Sequence, residues 1–281
     1  MTSNAASGTL TGAYWKHAGG GAWAEHQGLL DRLNQPVGDI VAERADPGAG
    51  ARVLDVGCGA GATTLEMARR VGPEGQVVGI DVSEALLELG RKRARAEGVT
   101  NVNFLGADAG THDFGEPGFD AAISRYGVMF FEDPDAAFAN LRRAVRRGGG
   151  LTFACWRSAA ENPLTLVPLE AAAPFLPELP RPPAEGPGRF AFADADRVRG
   201  ILDRSGWRRV AIEPLDVATP LSFDELMTLS LRLGPLGTIL PDQGEEVRER
   251  VRDAVATRFK GYVEDGMIPM TAACWLVTAT A

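Results

Sequence analysis

The chain has 281 residues, 45% of them hydrophobic and 23% charged, the composition of a globular protein large enough to bury a core without disulfides or structural metals. A net charge of -8, with no basic run longer than Arg142-Arg143-Ala144-Val145-Arg146-Arg147, lacks the broad cationic footprint of a nucleic-acid binder. The apolar runs are too short to span a bilayer and the first residues lack the basic-then-apolar pattern of a secretion signal, so a cytoplasmic protein without membrane or nucleic-acid partners is expected.

From the amino terminus, residues 12–45 are rich in aromatics and glycine (Tyr14, Trp15, Trp23), then turn helical from Leu29. Short β-branched runs next alternate with helical periodicities. Strands are predicted at 52–55, 76–80, 102–105, 121–124 and 151–155, with helices at 63–71, 83–97 and 134–145. Ser83 with Glu84 makes a helix start and Gly98 a stop. Gly148-Gly149-Gly150 reads as the end of the third helix, leading directly into the fifth strand. Residues 162–190, rich in proline and poor in periodicity, read as a long connection. A helix at 194–205, a strand at 209–217, a helical stretch at 223–263 broken by Gly234-Pro235 and a strand at 272–278 complete the pattern. The alternation is that of a doubly wound α/β protein.

The chemistry concentrates after the first strand, in Asp55-Val56-Gly57-Cys58-Gly59-Ala60-Gly61. A glycine loop there lets backbone approach a bound nucleotide or nucleoside closely. The dinucleotide fingerprint needs two residues before its third glycine, and Gly57, Gly59 and Gly61 lack that gap. Asp55 would repel a pyrophosphate but suits a ligand bearing an ammonium group, such as the methionine end of S-adenosylmethionine. Asp81, ending the second strand, is placed to accept both ribose hydroxyls, with Val82 beside it. Asp108 after the third strand can accept from an adenine amino group with the Ala109 backbone alongside, or simply cap a turn. The three cysteines, Cys58, Cys155 and Cys274, stand singly and read as buried reduced thiols, and no metal site is expected.

Val53 to Gly61 resembles motif I of the class I S-adenosylmethionine-dependent methyltransferases. Gly79-Ile80-Asp81-Val82-Ser83 resembles their next motif, and Phe119-Asp120-Ala121-Ala122-Ile123-Ser124 their fourth-strand motif. Ser124-Arg125-Tyr126-Gly127-Val128-Met129-Phe130-Phe131 and Cys155-Trp156 carry a finer likeness to the ubiquinone and menaquinone biosynthesis branch and to natural-product methyltransferases. One departure is the triple glycine, where relatives often have Pro-Gly-Gly. The resemblance implies a seven-stranded, mostly parallel Rossmann-like sheet with its last strand antiparallel. It divides the chain into an N-terminal lid (1–45), a cofactor-binding core (46–160), a proline-rich connection (161–193), and the rest of the sheet (194–281) with a helical substrate cap at about 222–266. Tyr14 and Trp23 are the candidates for covering the cofactor, or for packing on the sheet.

Expected cofactor contacts are therefore Tyr14, Trp23, Asp55, Gly57, Cys58, Gly59, Asp81, Val82, Asp108, Ala109 and Ser124. His17 is the candidate general base for a protonated acceptor, and Arg125 the candidate to steer an anionic or enolate-like one; His112 is expected to face solvent. The partner expected is a small-molecule acceptor, methylated on oxygen, nitrogen or carbon by in-line displacement. Two rivals stand beside this reading. A nucleotide-dependent oxidoreductase is disfavoured by Asp55 and the glycine spacing, and a protein of this fold that binds the cofactor without transferring methyl is left open.

Overall fold

The computed structural model describes Trp15, residues 20–176, Leu179 and residues 186–281. Helices α1 (Gly20–Glu25) and α2 (Gln27–Ala45) lead into β1 (Arg52–Val56), α3 (Ala62–Val71), β2 (Gln76–Asp81), α4 (Glu84–Ala96), β3 (Val102–Gly106), β4 (Phe119–Arg125), α5 (Pro134–Ala144) and β5 (Val145–Trp156). There follow α6 (Val167–Ala172), α7 (Ala195–Arg204), β6 (Arg208–Ala218), α8 (Phe223–Thr228), a π-helical turn (Leu229–Leu233), α9 (Pro235–Ile239), α10 (Glu245–Lys260) and β7 (Thr271–Thr280).

The strands form one seven-stranded sheet in the order β3-β2-β1-β4-β5-β7-β6. Strands β1 to β5 pair in parallel, whereas β7 runs antiparallel to β5 and β6. This is the Rossmann-like arrangement expected. Because β1 pairs with β2 on one side and β4 on the other, the chain reverses its direction of winding there. The loops after β1 and β4 part to leave a crevice at their carboxyl ends.

The buried strands serve both faces in alternation. Leu54, Val56, Val78, Ile80 and Phe153 pack with Phe138 and Leu141 of α5, Ile201 and Leu202 of α7, and Trp207. Val53, Val77, Ile123 and Ala154 pack on the other face with Val37 and Val41 of α2 and with Met67 and Val71 of α3. Among the described residues no helix is long and apolar enough to cross a membrane.

Two stretches differ from expectation. Helix α5 stops at Ala144, and Gly148-Gly149-Gly150 lies inside β5 rather than ending the helix. Val145 pairs with Phe119 but Gly150 pairs with Ala121, so the strand bulges outward between them. A Cβ on Gly149 would stand 2.6 Å from the Asp120 carbonyl oxygen, so the bulge needs a residue without a side chain. The proline-rich stretch is also more than a connection. Leu164, Val167, Ala172 and Leu176 share one core with Leu226, Leu236, Val251, Val255 and Phe259. Two segments far apart in sequence thus build a single cap over the carboxyl ends of the strands.

Trp207 is fully buried, and its indole N–H donates to the Phe138 carbonyl at 3.0 Å. Trp207→Ala is expected to destabilise the fold by about 3–5 kcal/mol, read as a lower urea midpoint with an unchanged slope.

Candidate functional site

Gly57 follows β1 with φ +66°, and a Cβ there would stand 2.6 Å from the Cα of Gly127. A Cβ on Gly127 would in turn stand 2.5 Å from the Val56 carbonyl oxygen. The loops leaving β1 and β4 therefore touch backbone to backbone. Ser124 fixes the contact: its hydroxyl donates to the Val56 carbonyl at 2.7 Å and accepts from the Gly127 N–H at 3.1 Å. Ser124 is wholly buried and holds the crevice open from behind rather than lining it.

Asp81 ties the tip of the glycine loop to the end of β2. One carboxylate oxygen accepts from the Gly59 N–H at 2.9 Å and the other from the Ser83 N–H at 2.8 Å. Burial raises its pKa, while the N–H groups of Ser83, Gly59 and Val82 pull it back. Asp108 caps its own turn, accepting from the Gly110 N–H at 2.8 Å, and also lines the crevice beside the buried Ala109.

Asp55 stands one layer further back. It is 1% exposed, accepts from the Thr64 hydroxyl at 2.7 Å, and is not among the residues that line the crevice. Burial pushes its pKa up to about 6, against the downward pull of the Thr64 hydrogen bond and the Arg125 charge. Its charge reaches the crevice through the loop rather than by contact.

Arg125 does line the crevice, and its Nη1 is buried with no hydrogen-bond partner among the described residues. Next to it, Tyr126 adopts φ +68°, an uncommon and strained conformation for an aromatic residue. Its ring stacks on Trp156 at 4.9 Å and 16°, and its hydroxyl meets the Cys274 sulfur at 3.3 Å. Burial pushes the phenol well above its ordinary value, which favours its protonated form.

These groups enclose one cavity of about 310 Å³. Its polar end holds Gly57, Cys58, Gly59, Asp81, Val82 and Asp108; its middle holds Arg125, Tyr126, Met129 and Trp156. The cap contributes a mostly apolar lining of Leu164, Pro168, Leu226, Leu229, Leu233 and Met270, with Thr165, Thr219 and Ser230 among them. Trp23 of α1 closes one side, edge-on to Trp15 at 4.9 Å, and Trp15 meets Phe130 at 5.3 Å. The Trp23 indole N–H is buried without a partner among the described residues. Tyr14 and His17 lie outside the described residues. His112 sits beside Phe114, away from the cavity wall.

Gly127 and Trp156 entered the sequence reading only as part of a family likeness and were given no role, and Arg189 did not enter it. Gly127 carried a signal, a glycine just past the fourth strand at the point where the winding reverses. Arg189 lies over the Trp156 ring at 5.4 Å, a pairing that no local spacing announces. The three cysteines are buried free thiols held above their ordinary pKa by burial, which keeps them protonated and unreactive. Among the described residues no cluster of three His, Cys, Asp or Glu could hold a metal.

Residues 47–174 match the family described as "Methyltransferase domain". Aklanonic acid methyltransferase from Streptomyces sp. (strain C5) is 34% identical over 136 residues, covering 47% of this chain and 62% of that protein. The ubiquinone/menaquinone biosynthesis C-methyltransferase of Marinomonas sp. (strain MWYL1) is 27% identical over 59% of this chain and 70% of its own length. Among solved structures, the [4+2]-cyclase SpnF superposes with a TM-score of 0.58 at 19% identity, over 98% of both chains. Over its core the chain is thus a relative of methyltransferases, and the matched fold extends to the cap.

Asp55 binds its proton more tightly in the fold than in the unfolded chain, so its contribution to stability falls as pH rises from 3.8 through about 6. Asp55→Asn keeps an acceptor for Thr64 and removes the titration. The stability of this variant relative to wild type is expected to grow across that window and level off above it, measured by urea denaturation at stepped pH.

Proposed function

We propose that this chain transfers the methyl group of S-adenosylmethionine to an oxygen, nitrogen or carbon nucleophile of a small molecule, such as a secondary metabolite or a quinone-like acceptor. The observation that carries this reading is a single cavity with two chemically different ends. A glycine cradle with two carboxylates is continuous with an apolar chamber built by the cap. The names of the two methyltransferase relatives support the same reaction and an acceptor of that kind.

The residues present fit the cofactor. Gly57, Cys58 and Gly59 line the cavity beside the carboxylates of Asp81 and Asp108, and the buried indole N–H of Trp23 has no partner among the described residues. Gly57, Cys58 and Gly59 would hold the thioether region, Asp81 and Val82 the ribose, and Asp108 and Ala109 the adenine, with Trp23 over them. When bound, S-adenosylmethionine supplies a methyl group on a cationic sulfur. The chain's part is to position and to exclude water. Tyr126, Trp156 and Phe130 wall the cavity with aromatic side chains, which help exclude water from it. The π-helical turn Leu229–Leu233 turns Leu229 and Leu233 toward the chamber, where an apolar acceptor loses its water. No histidine is among the described lining residues. For an acceptor that arrives protonated, His17 of the N-terminal segment is the proposed base.

Transfer of labelled methyl from S-adenosylmethionine to an aromatic polyketide or quinol acceptor is the expected result; turnover of acceptor without label in the product would replace methyl transfer with another reaction. Asp81→Ala is expected to weaken S-adenosylmethionine binding by about 1–3 kcal/mol in calorimetry, because it removes a charged acceptor and frees the Gly59 N–H at the loop tip. Unchanged affinity in a folded variant would remove Asp81 from the ribose site.

A further inference from the structure

The glycine loop is pinned from two sides. Asp81, at the end of β2, takes the Gly59 N–H at 2.9 Å. Arg93 of α4 donates from Nη1 to the Ala60 carbonyl at 3.1 Å. Ala60 is buried between two glycines in left-handed conformations, Gly59 at φ +54° and Gly61 at φ +79°, so the backbone fixes where that carbonyl can find a donor.

The same guanidinium nitrogen reaches across to the N-terminal helices. Arg93 Nη1 lies 3.0 Å from Asp31 Oδ2 in α2, and Asp31 Oδ1 accepts from the Gln27 side chain at 2.6 Å. Gln27 and Asp31, four residues apart, share one face of the helix. Gln27 and Ala60 both line the cavity, as does Trp23 of α1. Gln27, Asp31, Arg93 and Ala60 thus form an unbroken polar chain from the helical wall of the cavity to its glycine wall. Further along, α2 packs on the sheet through Val37 and Val41, and α1 packs on α4. The Asp31–Arg93 pair joins α2 to α4 at the cavity itself. Both side chains are 24% exposed, shielded enough to keep a defined geometry and open enough to feel dissolved salt. Glu97 stands 4.0 Å from Arg93 but is also paired with Arg69.

Resting on the proposed cofactor, we infer that Arg93 is a positioning residue that braces the glycine loop against the N-terminal helices, so that the two walls hold the cofactor as one unit. Arg93 does not itself line the cavity; it acts through the Ala60 carbonyl and Asp31. A bound nucleoside leaves when those walls part. Parting them breaks an ion pair and strips a buried carbonyl of its donor. The brace accordingly slows release more than it speeds capture.

Stopped-flow release of S-adenosylhomocysteine, followed by tryptophan fluorescence, tests this role. Arg93→Met is expected to raise the release rate about tenfold with little change in the capture rate, and Asp31→Ala to raise it comparably. The double variant is expected to release no faster than Arg93→Met, because both residues act through one contact. Added sodium chloride is expected to speed release from wild type and not from Arg93→Met. Arg32→Met, which breaks the ion pair of the neighbouring α2 residue with Glu225 of the cap, is the control and is expected to leave release unchanged. An unchanged release rate in Arg93→Met or Asp31→Ala overturns the inference, as do additive effects in the double variant. Equal acceleration in Arg32→Met also overturns it, by making the effect a general loosening of α2. Should Arg93→Met fail to fold, Asp31→Ala and the salt dependence of wild type decide the matter. Wild type that binds no S-adenosylhomocysteine removes the cofactor reading, and the inference falls with it.

Discussion

The backbone contact between Gly57 and Gly127 sets the geometry on which the rest of the site depends. Two neighbouring parallel strands end side by side, and the loops that leave them must part at once to reach opposite faces of the sheet. Here they part only after touching, with no side chain between them. Ser124 supplies both an acceptor and a donor to hold them there. The crevice is consequently narrow at its base and walled by main chain. That suits a ligand recognised by shape and by a few fixed polar groups.

Charge is arranged around that base in layers. Asp81 is in contact with the cavity and anchored by backbone N–H groups, whereas Asp55 is sealed behind the loop and Arg125 faces inward unpaired. Asp81 and Asp55 are both satisfied by the protein itself, through the Gly59 and Ser83 N–H groups and the Thr64 hydroxyl, whereas Arg125 Nη1 has no hydrogen-bond partner among the described residues.

The alternation of strands and helices from β1 to β5 was legible because each strand is buried on both faces and each helix on one, and both habits leave a periodic trace. Asp81 at the end of β2 and Asp108 just past β3 stood out in the sequence as acids after apolar strands, and both line the cavity while also tying down local backbone. Other features depended on distant partners. The triple glycine looks like a helix stop until Asp120 is known to pass 2.6 Å from where a Cβ would be. The segment 162–190 looks like a connection because the residues that complete its core lie beyond position 220. Asp55 reads from the sequence as a direct cofactor contact, and nothing in its sequence neighbourhood says that it is buried against the Thr64 hydroxyl, off the cavity wall.

The cap residues share a core distinct from those that flank the sheet, joined to them through α2, which gives Leu33 to the cap and Val37 and Val41 to the sheet. The cap is therefore cohesive in itself, with α2 as its link to the sheet. Such a division lets one half diverge while the other stands still. For protein engineering, the leucines at 164, 226, 229 and 233 form an exchangeable cassette, and recasting them is a route to new acceptors that leaves the cradle's own contacts in place.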